Sequence, residues 1–204
     1  MSIKIKSMKS FYNLPCAHRQ FFDTNPDGSP GHCSGLHGYD RSVHFTFAGE
    51  VDEYGWIFPF GDLKAVRKFL EHYFDHTAII GADDPALDGI SEEQLQPGGI
   101  LSSLRALPYG VSMEMSSLFI WEHVNPFIYH QTGGRVWVEK IESREHEKNS
   151  AFLEVDEETA KRQAQQFRSD AEFMKVDFIH DFEKPHDALK RIQQAYRFKL
   201  KTNT

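Results

Sequence analysis

Cys33-Ser34-Gly35-Leu36-His37-Gly38-Tyr39-Asp40-Arg41-Ser42-Val43-His44-Phe45-Thr46-Phe47 is the stretch that decides the fold. From His37 onward it alternates strictly. His37, Tyr39, Arg41, Val43, Phe45 and Phe47 share one face, while Asp40, Ser42, His44 and Thr46 share the other. Successive side chains of a strand point to opposite faces, so this pattern predicts a strand with one face toward a core. Residues 49–55 then form a connection, and Trp56, Phe58 and Phe60 predict a partner strand in an antiparallel hairpin. Upstream, Ile3 and Ile5 open a first strand that runs irregularly toward His18, and 25–31 is a loop marked by Asn-Pro, Asp-Gly and Pro-Gly.

Downstream, Leu63, Val66, Phe69, Leu70 and Tyr73 recur at helical spacing, which predicts an amphipathic helix over 62–74. Residues 81–110 are rich in Pro, Gly and acids and read as a surface insertion with a short helix around Glu92. A second helix is expected from Ser112 through His123, ending before Pro126, because proline lacks the amide hydrogen that a helix interior needs. After Gly133-Gly134, residues 135–143 alternate again and predict the last strand. On a strict period of two, Glu142 shares the face of Val136 and Val138, with Ile141 opposite. From Asp156 the chain is charged and helix-prone, with helical stretches over 161–175 and 186–199 separated at Pro185. Two units result: 1–154, carrying the insertion, and a helical extension over 155–204. The order predicts an α+β domain, an antiparallel sheet with helices on one face.

The chain of 204 residues is long enough for one buried core, and its 17 phenylalanines favour strands and a packed interior. A formal charge of −7 with no basic stripe argues against a nucleic-acid surface. No apolar run reaches membrane-spanning length, and residues 1–10 carry Lys4, Lys6 and Lys9 with no signal-peptide core. Two cysteines, Cys16 and Cys33, make no disulfide framework. The expectation is a reduced, cytoplasmic protein with Cys33 as an available thiol.

The chemistry-bearing residues cluster around this first strand pair. Imidazoles on a strand at i and i+2 make a good metal fork, and catalytic zinc takes three protein ligands plus an open position. Here the fork is His37 and Tyr39, with His18 upstream. A phenol is a poor substitute for an imidazole, since its proton leaves only near pH 10 or so. The alternative is that the histidines simply hydrogen-bond in a polar crevice. Cys33, on a polar Gly-flanked loop, could act as a base or nucleophile beside a cation, or be an inert thiol. Asp75-His76 is either an acid–base pair or a helix C-terminus carrying a favourable histidine. Glu142 on an apolar face would need a donor, or else sits at a watered sheet edge.

Taken in order from Lys4 to Ser143, these residues resemble the 6-pyruvoyl-tetrahydropterin synthase and 6-carboxy-tetrahydropterin synthase family. The family's Ala-His-Arg is Ala17-His18-Arg19, and its Cys-x-x-x-His-Gly-His is Cys33 to Tyr39 with the last histidine replaced. Its further signatures fall at Gly49-Glu50-Val51, Gly55-Trp56-Ile57, Phe60-Gly61-Asp62-Leu63-Lys64, Asp75-His76, Ser112-Met113-Glu114 and Glu142-Ser143.

The resemblance implies a tunnelling fold: an antiparallel four-stranded sheet backed by two helices, here with a C-terminal helical extension. Its subunits assemble as homo-oligomers, trimers or hexamers, with the pocket between them. It implies zinc held by His18 and His37, with Tyr39 in the third place unless His32 or Asp40 substitutes. It implies Cys33, Asp75 and His76 as catalytic groups, and Ser112, Glu114 and Glu142 as substrate-binding ones. The implied activity is that of a zinc-dependent lyase acting on 7,8-dihydroneopterin triphosphate, of the 6-carboxy-tetrahydropterin type that feeds queuosine and other 7-deazaguanines. The alternatives are 6-pyruvoyl-tetrahydropterin synthesis, or a pterin- or purine-binding or scaffold protein of the same fold. Tyr39, Pro59 where the family has Asp or Asn, and the changed surroundings of Glu114 are the departures that motivate the last.

Overall fold

A computed structural model of the chain describes residues 5–108 and 110–166. The expected helix over 186–199, and residues 167–175 of the one expected over 161–175, lie outside the described residues. Among the described residues the sheet has six strands in the order β4-β3-β1-β2-β5-β6. Its centre is β1 (Ile5–His18) antiparallel to β2 (His37–Gly49). On the other flank of β2 lies β5 (Val136–His146), followed by β6 (Asn149–Glu154), both antiparallel. Beyond β1, β3 (Thr77–Gly81) and β4 (Leu104–Leu107) pair in parallel. The α+β class is as expected, but six strands replace four and the sheet is mixed.

The expected hairpin does not form. Residues 51–59 are irregular, and β2 pairs with β1 and β5 instead. Carbonyls of Glu50 and Trp56 both accept from the Arg135 guanidinium, so this segment is tied to the start of β5 without a ladder of its own. A 3-10 turn (Phe60–Leu63) leads into helix α1 (Lys64–Phe74), whose Val66, Phe69, Leu70, Tyr73 and Phe74 are buried.

The insertion holds a second, small core of Ile80, Leu87, Leu95, Leu104 and Ala106. Within it helix α2 (Glu92–Leu95) starts with a full capping box between Ser91 and Gln94.

Helix α3 (Met113–Gln131) passes straight through Pro126, against expectation. A proline here frees the carbonyl of residue 122 from its helical donor. Gln163 Nε2 fills that vacancy at 2.9 Å from the Glu122 oxygen. Gln163 belongs to α4 (Glu157–Gln165), which begins ahead of the expected stretch over 161–175. Asn125 of α3 donates to Ala160 O and to Gln163, and accepts from Val138 N. With Ala160 in the main core, the first turns of the extension are part of the domain.

Two β-bulges set the faces, and a third irregularity, between β5 and β6, falls at Glu145. In β1, Tyr12 and Asn13 oppose the single residue Ser42, and Asn13 adopts a left-handed φ of 61°. The extra residue shifts the parity, so Phe11, Leu14, Cys16 and His18 are all buried. In β5, the register slips between Val138 and Lys140. This slip turns Ile141 inward against Phe45 and Glu142 outward beside His44, the reverse of the strict alternation. Glu142 thus lies on the outer face and accepts from Arg144 Nε at 3.0 Å.

Candidate active site

The two bulges bring three ligating side chains together. His18 ends β1 directly opposite His37, the first residue of β2, with ring centroids 4.4 Å apart. Glu145 follows Ile141 and Ser143 on the inward face of β5. One ligand atom each from His18, His37 and Glu145 lies within 4.8 Å of the others. Gly38 lets the strands close at this point, since a Cβ there would meet Cys16 O at 2.9 Å.

These residues line a cavity of about 220 Å³ together with Gln20, Cys33, Ser112, Glu114 and Asn149. Cys33 reaches it on a loop folded back over the strands: its amide donates to Asp23 Oδ2 at 2.8 Å and its carbonyl accepts from Gln20 N at 2.7 Å. Ser112 caps α3, accepting from Met115 N, and Glu114 sits in the helix's first turn. Arg19, next to His18, clamps the insertion through a bidentate bond to buried Asp84, with Nε–Oδ2 at 2.7 Å.

Four of the expected residues stand apart from this cavity within one chain. Tyr39, 6.2 Å from His18 between ring centres, opens with His76 into a neighbouring cleft. Asp75 and His76 do bond to each other, Nδ1 to Oδ1 at 2.6 Å, with the His76 side chain 84% exposed. His76 has a left-handed φ of 55°, which turns its ring outward from the end of α1. Glu142 is on the opposite face of the sheet. Burial works to raise its pKa, but donors Arg144 and Ser150 hold the carboxyl below its usual range. Of the other proposed substitutes for the third imidazole, His32 is exposed with its ring 6.1 Å from that of His37, and Asp40 is exposed in the Tyr39 cleft.

The sequence reading missed Glu145 and Arg41. Arg41 was visible as a charge on an otherwise apolar strand face. It is 3% exposed, donates to His18 Nδ1 at 2.8 Å and to Ser116 Oγ at 3.2 Å, and leaves its Nε–H without a partner among the described residues. Burial pushes the His18 pKa down to about 3, helped by Arg41 and then His37. Burial also raises the thiol of Cys16, beside Arg41, to about 11.

Two histidines and a glutamate are a known zinc donor set, and His37 suits it. Its Nδ1 faces Gly35 O at 2.8 Å, so Nδ1 carries the hydrogen and Nε2 offers a lone pair. His18 does not suit it. A guanidinium only donates, so Nδ1 must accept and a neutral His18 carries its hydrogen on Nε2, the atom facing Glu145 at 3.6 Å. The lone pair that zinc requires is occupied by a proton. As arranged, the group does not fit a metal, and no step is derived through one.

A family model described as 6-pyruvoyl tetrahydropterin synthase matches residues 7–156. An uncharacterized protein from Wolinella succinogenes is similar in structure, with TM-score 0.63 and 20% identity, covering 76% of this chain and all of that one. A catalytic-residue mutant of Plasmodium vivax 6-pyruvoyltetrahydropterin synthase gives TM-score 0.54 at 19% identity, covering 76% of this chain and 99% of that one. No curated protein matches the chain. At such identities the solved structures speak to the fold. Among the described residues, no helix is long and apolar enough to cross a membrane.

Proposed function

Since the chain belongs to the 6-pyruvoyl tetrahydropterin synthase family and has its tunnelling fold, we propose that it is a lyase acting on 7,8-dihydroneopterin triphosphate, of the 6-carboxy-tetrahydropterin type. The observation that carries this reading is the convergence of His18, His37, Cys33, Ser112 and Glu114 on one cavity.

A cavity of about 220 Å³ is smaller than the ~300–1,000 Å³ usual for small-molecule sites. It therefore takes the substrate's side chain, and the pterin ring extends to a second copy of the chain. That copy supplies Asp75–His76 and the outward-facing Glu142, whose carboxylate would pair with the guanidine-like edge of the ring.

His18 Nε2–H donates to a side-chain oxygen, and Cys33 and His37 Nε2 take protons from the side-chain carbons. The C–H electron pair next to the ring reduces the ring as that carbon becomes a carbonyl, and the second expels triphosphate from the terminal carbon. One water then adds to the carbonyl beside the ring, the adjacent carbon–carbon bond breaks, the ring side is left as the acid, and the bonding pair takes a proton from His37 and departs with the small aldehyde. His76, held by Asp75, passes the proton taken by Cys33 to the reduced ring.

The test is turnover of 7,8-dihydroneopterin triphosphate by the purified chain, with product and aldehyde measured together. The reading predicts aldehyde release that Cys33→Ala abolishes at unchanged melting temperature. No product from folded, assembled protein would overturn it. A product without aldehyde but with triphosphate released would assign the pyruvoyl-type reaction instead.

A second reading is favoured by Arg41 and Tyr39: a protein of this fold that binds the pterin and does not convert it. It predicts binding of the triphosphate without turnover.

A further inference from the structure

We propose that Arg41 takes the place of a metal in this site, making it metal-independent. Three observations carry this. Arg41 is buried and bonded to His18 Nδ1 at 2.8 Å, which fixes a hydrogen on Nε2, the ring atom turned toward Glu145. For His18 to ligate through Nε2, Nδ1 would have to carry the hydrogen and would face the guanidinium donor to donor, leaving both buried and unpaired. Second, Glu145 is a carboxylate whose charge offsets that of Arg41, and a metal would compete for it. A dication beside an uncompensated buried guanidinium would meet like-charge repulsion at low dielectric. Third, the remaining Arg41 contacts among the described residues, Ser116 Oγ at 3.2 Å and the Phe74 ring at 5.9 Å, offer no carboxylate that could draw it away from His18.

In this arrangement Arg41 is a positioning residue. It holds His18 as a neutral donor and supplies the fixed positive charge that a metal would otherwise bring. Glu145 balances that charge, and His37 keeps its lone pair for a proton.

The inference concerns the resting protein and is tested without substrate, so it can fail while the assigned reaction stands, and the reverse. The full chain is purified from zinc-replete medium, assayed for zinc by elemental analysis, and titrated with Zn²⁺ against a competing chelator. Wild type should hold substoichiometric zinc. Arg41→Met, which removes the donor and the charge at similar bulk, should bind zinc about 10- to 100-fold more tightly, the scale on which outer-shell partners tune affinity. Tyr39→His with Arg41 intact should stay zinc-poor.

One tightly held zinc per wild-type chain would overturn the proposal, as would a folded Arg41→Met variant with no gain. Should that variant fail to fold, the ¹⁵N spectrum of the His18 ring in wild type decides. A bare, hydrogen-bonded Nδ1 with a protonated Nε2 supports the proposal, and the opposite tautomer refutes it.

Discussion

At the scale of single residues, His18 concentrates the physics of the site. It is buried beside a cation, and its pKa, down at about 3, lies far below the ordinary histidine value of 6.5. The unfolded chain therefore binds a proton there that the folded chain refuses. Stability from this residue is fully present above the unfolded pKa and is lost as pH falls from 6.5 toward about 3. Denaturant unfolding at a series of pH values should show that slope, and His18→Gln should flatten it.

The two thiols should differ as sharply. Cys16 is 5% exposed with its pKa raised to about 11, whereas Cys33 opens into the cavity. Alkylation of the folded protein at neutral pH should modify Cys33 alone, as read by peptide mass spectrometry. Prior modification of Cys16 would contradict the burial described here.

At the scale of elements, faces are decided by bulges, and a period-two reading of sequence cannot see them. The alternation from His37 to Phe47 is uninterrupted, and the whole of β2 was legible from it. β1 carries one extra residue, and β5 carries two, Glu139 against β2 and Glu145 against β6. The inward placement of His18 was therefore reachable only through its motif, and Glu142 and Glu145 exchange the faces that strict alternation assigns them. The same limit applies to α3. Pro126 reads as a stop because the signal is local, while the donor that rescues the helix comes from Gln163, 41 residues from the carbonyl it serves. β6 was missed although Ala151, Leu153 and Val155 alternate with exposed Phe152 and Glu154.

A double-mutant cycle tests the α3–α4 account. Gln163→Ala should cost about 1–3 kcal/mol in denaturant unfolding, the penalty for an unsatisfied buried acceptor. In a Pro126→Ala background the restored amide can satisfy Glu122 O, so the same change should cost less, with coupling of about 1 kcal/mol. Strict additivity would remove Gln163 from that role.

At the scale of the whole molecule, the motifs carried the family and five residues that line the candidate cavity, His18, Cys33, His37, Ser112 and Glu114. They did not carry the electrostatic context. Arg41 replaces the logic of a three-imidazole site with a guanidinium–imidazole–carboxylate chain, and only the folded arrangement displays that. Under the proposed function the molecule supplies half of each active site. The cavity is small, and the Asp75–His76 pair stands outside it with the His76 side chain exposed. Assembly should therefore be required for turnover: activity per chain should fall on dilution in step with dissociation measured by sedimentation, and mixing Cys33→Ala with His76→Ala protein should restore part of it.

The most direct measurement is a crystal structure of Cys33→Ala protein with 7,8-dihydroneopterin triphosphate bound. The account predicts the side chain between His18 and His37, and the ring edge against Glu142 of a neighbouring copy. A ligand seated away from both imidazoles, in crystals where that cavity is open, would contradict it.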